Sequence, residues 1–207
     1  MPDKSLQLQS PLQKSTEKYN SWTKDQLVTE VLRFRKQKKY GLVWEDKTED
    51  VVEQCKEELP VLKEVKNKAI ENDSVSSTNI IIEGDNFHAL SVLNYTHKGK
   101  IDVIYIDPPY NTGNASWRYN NKIVDADDAF KHSKFISFLH HRLKLAKNLL
   151  TPKGVLIFTI DDYEIQTCRM LLDEIFGEKN RLGTVVIVHN PRGRNDDRYF
   201  ATMHEYA

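Results

Sequence analysis

The sequence predicts an open α/β fold with a largely parallel sheet, preceded by a helical region. From residue 79 onward, short runs rich in β-branched residues alternate with stretches whose apolar residues recur at helical spacing. Strand alternating with helix implies right-handed crossovers around one sheet. The strand-like runs are also apolar on both faces, as suits strands buried in a parallel sheet.

Taken in order, residues 1–20 are polar, rich in Ser, Gln and Lys, and read as a flexible arm. Residues 21–78 read as a helical region. There Leu27, Val31 and Phe34, flanked by Val28 and Leu32, predict an amphipathic helix from a Thr23 cap to about Lys39, ended by Gly41. A second helical stretch covers Glu49–Leu59, Pro60 interrupts it, and Val61–Ile70 continues it. The polar stretch 71–78 is the linker. Strands are predicted at Asn79–Glu83, Ile101–Ile106, Val155–Ile160 and Thr184–Val188. Helices are predicted at Phe87–Tyr95, along a long segment from Phe135 to Leu150, and from Ile165 to Ile175. Asp161 and Asp162 serve as caps of the last, and the Thr151–Gly154 turn stops the long one.

Composition bounds the function. The 207 residues carry 30 basic and 30 acidic side chains, and residues 1–78 alone hold 14 of each, so total charge announces no nucleic-acid binder. A cationic surface would need local clustering, densest at Arg33, Arg35, Lys36, Lys38 and Lys39, a run that reads first as a solvated helix face. No apolar run approaches the roughly 18–20 residues of a membrane span, and the polar start has no signal-peptide core, which makes the cytoplasm the default address. Cys55 and Cys168 lie far apart without metal-ligand spacing, so no metal site is expected, and both read as buried thiols.

In an open α/β sheet, ligands bind beyond the carboxyl ends of strands. The run Ile101–Ile106 ends directly on Asp107, Pro108, Pro109 and Tyr110, followed by Asn111, Thr112 and Gly113. Two prolines fix two φ angles and remove two N–H donors, leaving carbonyl oxygens and a carboxylate on a stiff turn. Such a corner accepts only, so its ligand is a donor such as an amino group. The exocyclic amine of a nucleobase is a poor nucleophile because its lone pair is delocalised into the ring. The Asp107 carboxylate and the Pro108 carbonyl could bind its two N–H bonds and favour the pyramidal geometry that aims the lone pair at an electrophile. Tyr110 offers a face for an extruded base, a contact worth about 1–3 kcal/mol against a flipping cost of a few kcal/mol. Asn111, Thr112, Trp117 and Tyr119, in and after the loop, are candidate substrate contacts; for the last two, packing of the loop against the domain is the competing reading.

The stretches NIIIEGDNFHAL, GKIDVIYIDPPYNTGN, HSKFISFLHHRLKLAKNLL and GVLIFTIDDYE, with YGLVWEDKTED before them, resemble the amino-terminal part of β-class amino-methyltransferases, most closely Mod subunits of Type III restriction-modification systems. The resemblance runs from about Tyr40 to Ala207. It implies a Rossmann-like, S-adenosylmethionine-dependent methyltransferase fold over residues 79–207, acting on adenine N6 in DNA. Asp107, Pro108, Pro109 and Tyr110 match the family's catalytic motif, and Gly84 and Asp85 lie on the cofactor side of its cleft. The partners implied are DNA, a restriction subunit and a second Mod subunit, with no membrane.

In this family the F-x-G-x-G cofactor loop follows the target-recognition region. No two of the eight glycines here are separated by a single residue, so the tight backbone approach to the cofactor's methionine end is not encoded within residues 1–207. The chain therefore reads as a fragment of such an enzyme, with an incomplete sheet. The alternatives are a cytosine-N4 methyltransferase, whose substrate amine poses the same lone-pair problem, and a non-catalytic remnant that binds DNA or a partner. Elsewhere, Arg192, Arg194 and Arg198 are candidate phosphate contacts tempered by Asp196 and Asp197. His132 and Ser133 read as an ordinary helix start, and His140 and His141 as residues without a metal.

Overall fold

A computed structural model of the chain describes residues 19–36, 41–69, 79–111, 118–119, 122–124, 127–188 and 204–207. They fall into two compact units, one ending at Gly41 and one running from Leu42 to Ala207. The first holds helix α1, Lys24–Lys36. Thr23 opens it with reciprocal bonds: its Oγ1 accepts from Gln26 N at 3.3 Å and its N–H donates to Gln26 Oε1 at 2.8 Å. Leu27, Val28, Val31 and Leu32 line an exposed apolar stripe on α1, and Arg33 pairs with Glu30 at 2.6 Å. Lys38 and Lys39, most of the arm and the linker at 71–78 lie outside the described residues.

The second unit contains α2 (Asp50–Glu57), α3 (Asn86–Thr96), β1 (Ile101–Ile106), β2 (Arg118–Tyr119), β3 (Lys122–Ile123), α4 (Lys131–Leu149), β4 (Leu150–Phe158), α5 (Ile165–Phe176), β5 (Val186–Val188) and β6 (His204–Tyr206). β1 and β4 pair in parallel, Val103 opposite Val155 and Ile106 opposite Phe158, with a register shift between Ile101 and Val103. Gly154 makes that shift possible, because a Cβ there would stand 2.9 Å from the Ile101 carbonyl oxygen. β5 and β6 are antiparallel. Tyr206 exchanges backbone hydrogen bonds of 2.8 and 3.0 Å with Ile160, which stitches β6 beside the end of β4.

The core lies on one face of this sheet. Phe135, Ile136, Leu139 and Leu143 of α4 meet Cys168, Leu171 and Ile175 of α5, with Phe158 and Ile160 beneath them. The lead-in segment, residues 42–49 before α2, is tied to α4 from outside. Buried Arg142 donates to the carboxylate of Glu49, itself 4% exposed, to Asn86 Oδ1 and, at 3.1 Å, to the Phe138 carbonyl. Its guanidinium also stacks 3.7 Å from the centre of the Phe138 ring. Ser137, fully buried, accepts from Lys47 N at 2.9 Å.

Several expectations are corrected. Asn79–Glu83 forms no strand, and Ile80 and Ile81 are 62% and 95% exposed, because no described strand lies alongside them. Residues 61–69 are not a continued helix; among them only a single 3-10 turn forms, at Lys66–Lys68, and Ile70 lies outside the described residues. The Thr151–Gly154 turn is the opening of β4, which begins at Leu150 as soon as α4 ends. The run at 184–188 shortens to β5 and pairs antiparallel, its partner being the distant β6. The cap of α5 is Glu164, while Asp161 accepts from Tyr163 N at 3.0 Å. The strands are not covered on both faces: Val103 and Tyr105 of β1 are 59% and 62% exposed, since α4 and α5 cover only the opposite side.

Candidate active site

β1 delivers Asp107 to the carboxyl end of the sheet, where the neighbouring strand supplies its first partner. Thr159, just past β4, donates from Oγ1 to Asp107 Oδ1 at 2.9 Å, and its N–H donates to the Ile106 carbonyl at 3.0 Å. Asp107 is otherwise exposed. Pro108 is buried and Pro109 partly so, which anchors the turn while the carboxylate stays at the surface. The Pro108 carbonyl accepts no backbone hydrogen bond from a described residue. The Asp107 carboxylate and the Pro108 carbonyl thus both stand just past the carboxyl end of β1.

Tyr110 is half-buried, with its ring partly packed on the core, and its hydroxyl donates to Glu205 Oε2 at 3.3 Å. Burial pushes its phenol up to about 12, and the nearby Asp107 and Glu205 carboxylates add to the rise while the Thr159 hydroxyl opposes it. The ring is neutral across ordinary pH and acts as a hydrogen-bond donor. Asp161, at the same end of the sheet, is raised above the usual carboxylate range, chiefly by burial.

Asn111 is placed differently from a substrate contact. It is 2% exposed, has a φ of 57°, and donates from Nδ2 to Glu164 Oε1 at 2.6 Å. Asparagine is among the few residues that tolerate that backbone region. Tyr119 is 5% exposed within the core cluster, so packing, the reading weighed against base contact, is the one its position supports. Thr112, Trp117, Arg192, Arg194 and Arg198 lie outside the described residues. Gly84 has a φ of 152°, where glycine is favoured, and Asp85 caps α3 by accepting from Phe87 N at 2.7 Å. Asp85 also lies 3.5 Å from Arg142.

Thr159, Glu164, Glu205 and the pairing of His132 were missed in the sequence. The rule that pointed to Asp107, inspection of residues just past a strand, would have found Thr159 had β4 been ended at Phe158. Glu164 and His132 meet across 32 residues of sequence, Nδ1 to Oε1 at 2.7 Å, which no local pattern announces. Cys168 is buried and Cys55 half-buried, and no cluster able to hold a metal occurs among the described residues. No helix among them is long and apolar enough to cross a membrane.

A mixed helix and strand unit with a parallel strand pair, carrying an Asp-Pro-Pro-Tyr corner at a strand's carboxyl end, is compatible with a methyltransferase. Residues 101–207 match the family of DNA methylases, N6_N4_Mtase, and the chain belongs to that family. It is 42% identical over 135 residues to the Type II methyltransferase M.KpnI of Klebsiella pneumoniae, a match covering 65% of this chain and 32% of that protein. It is 41% identical over 116 residues to the probable type III restriction-modification enzyme HindVI Mod subunit of Haemophilus influenzae, covering 56% of this chain and 15% of the relative. To the Type III restriction-modification enzyme EcoPI Mod subunit of Escherichia phage P1 it is 31% identical over 169 residues, 70% of this chain and 26% of the relative. The chain thus spans about a third or less of these relatives.

Proposed function

We propose that this chain supplies the amine-holding part of a site-specific DNA adenine-N6 methyltransferase of a restriction-modification system, working in the cytoplasm. The observation that carries the reading is the exposed Asp107 carboxylate, clamped by Thr159 beside the Pro108 carbonyl, in a chain of the DNA methylase family. In this reading Asp107 and Pro108 each accept one N–H of the target adenine's amine. Holding both bonds on a turn that cannot relax favours pyramidal nitrogen, which restores the lone pair as a nucleophile. The stabilisation is electrostatic and preorganised, so the proton need leave only during or after attack. Tyr110 offers the exposed part of its ring to the extruded base, while its hydroxyl donates to Glu205 Oε2.

The fold implied is Rossmann-like, the substrate is DNA, and the partners are a restriction subunit and a second Mod subunit. The methyl donor implied is S-adenosylmethionine, for whose methionine end residues 1–207 encode no G-x-G loop. A Cβ added at Gly84 would meet no protein atom within 4 Å, and the partly exposed Asp85 carboxylate caps α3 and lies 3.5 Å from Arg142, so the cofactor-side surface that these two residues would offer is open. The chemistry ascribed to this chain is accordingly confined to binding and orienting the amine.

The test is Asp107→Ala in the enzyme that carries this segment, measured as transfer of labelled methyl groups to duplex DNA with nucleoside analysis of the product. Loss of one preorganised acceptor predicts a fall of about 10²-fold or more in rate, with DNA affinity changed less than about threefold. Retained transfer removes Asp107 from its role, and N4-methylcytosine as product would replace adenine by cytosine as substrate.

A further inference from the structure

We propose that Glu164 is a positioning residue for the Asp107–Tyr110 corner, clamping its exit through Asn111; the proposal rests on the amine-holding reading above. Glu164 is 1% exposed at the start of α5, with Cys168 and Leu171 of the core a turn or two further on. A carboxylate in such a place is unfavourable unless it is paired, and an apolar residue would pack there more simply. Its Oε1 accepts from Asn111 Nδ2 at 2.6 Å and lies 2.7 Å from His132 Nδ1. Oε2 is buried with no hydrogen-bond partner among the described residues. The side chain is therefore held by one oxygen, and that oxygen holds Asn111.

Asn111 directly follows Tyr110 and is the one described non-glycine residue with a positive φ, 57°. Asparagine tolerates that region at modest cost, and local bonds decide whether it is kept. Here one such bond runs from the side chain to a buried carboxylate. At the entrance, Thr159 holds Asp107; at the exit, five residues further along the same β4–α5 connection, Glu164 holds Asn111. Between them the two prolines leave little freedom. One connection thus grips the corner at both ends, and the direction of the Asp107 carboxylate and the tilt of the Tyr110 ring are set together. His132 acts one step further out by occupying the second acceptor direction of Oε1.

Because the unpartnered oxygen is Oε2, Glu164→Gln keeps the acceptor that Asn111 uses, whereas Glu164→Ala removes it. Asn111→Gly removes the tether from the other side, leaves the Glu164 carboxylate its bond with His132, and keeps the backbone region accessible. The experiment uses the full chain labelled with 3-fluorotyrosine, with the Tyr110 fluorine signal assigned by Tyr110→Phe and adenosine as the probe. In the unsubstituted chain one narrow Tyr110 signal is expected, shifting as adenosine is added. In Asn111→Gly and Glu164→Ala the signal broadens or splits and adenosine binds about tenfold more weakly. The double variant is no weaker than either single one, and Glu164→Gln restores both signal and affinity. An unchanged Tyr110 signal in Asn111→Gly, additive losses in the double variant, or a Glu164→Gln chain as defective as Glu164→Ala would each overturn the proposal. If Glu164→Ala fails to fold, Asn111→Gly and Glu164→Gln still decide it. Failure of adenosine to shift Tyr110 in the unsubstituted chain, with Asp107→Ala also without effect, would overturn the amine-holding reading, while the signal's response to Asn111→Gly still judges the clamp.

Discussion

Arg142→Ala should unfold the Leu42–Ala207 unit under conditions where the unsubstituted chain is folded. Arg142 is 6% exposed and Glu49 4%, and the guanidinium also engages Asn86 and the Phe138 carbonyl and ring. Removing the cation leaves the Glu49 carboxylate buried without its counter-charge, a change that costs about 3–5 kcal/mol in comparable buried pairs. For a unit of this size that corresponds to a drop of roughly 6–20 °C in melting temperature. Urea unfolding followed by circular dichroism measures it directly, and salt should matter little because the pair is shielded from solvent. Replacing both partners, as Glu49→Leu with Arg142→Leu, should recover most of the loss, since two apolar groups leave no charge stranded. A single-substitution cost below about 1 kcal/mol, or a double variant as unstable as the single one, would refute the view that this pair fastens the lead-in segment to α4.

Three further outcomes are expected. Burial pushes His140, whose ring lies edge-on to Trp44 at 5.2 Å, down to about 4, with Lys144 and His141 adding to the fall. The folded state therefore favours neutral His140, and its stability is full above about pH 6.5 and declines as pH falls toward 4. Melting curves at pH 7 and 4.5 should show an acid loss of at most about 2 kcal/mol that His140→Phe reduces, and an identical loss in the variant would exclude His140 as its source. Gly154→Ala places a methyl group 2.9 Å from the Ile101 carbonyl and from Leu150 Cδ2, so chemical denaturation should reveal a loss of about 1–3 kcal/mol; a neutral result would mean that the register shift is loosely held. Calorimetric titration of this chain with S-adenosylmethionine should give no measurable heat of binding, since residues 1–207 lack a G-x-G loop, and a micromolar dissociation constant would overturn that reading.

What could be read beforehand follows the range of the forces involved. α3, α4, α5 and β1 are close to their expected bounds because an apolar face repeats within each of them, and Phe135, Leu139 and Leu143 mark the buried side of α4 in sequence alone. Asn79–Glu83 has the same β-branched composition, but a strand exists only with a neighbour, and composition does not supply one. The direction of β5 was hidden for the same reason, since its pairing with His204–Tyr206 joins residues that no local pattern links. At the site, the Asp107–Tyr110 turn was legible because two prolines after a strand constrain the backbone locally. Thr159, Glu164 and His132 were not, because each acts through a bond spanning tens of residues.

The uncovered side of the β1–β4 pair has a practical result for anyone handling the molecule. Val103, Tyr105 and Ile157 present an oily strip to water, and the outer edge of β1 has no strand alongside it among the described residues. A strip of that kind next to an unsatisfied backbone edge makes chains adhere as they are concentrated. Concentrated preparations should therefore self-associate first through this side.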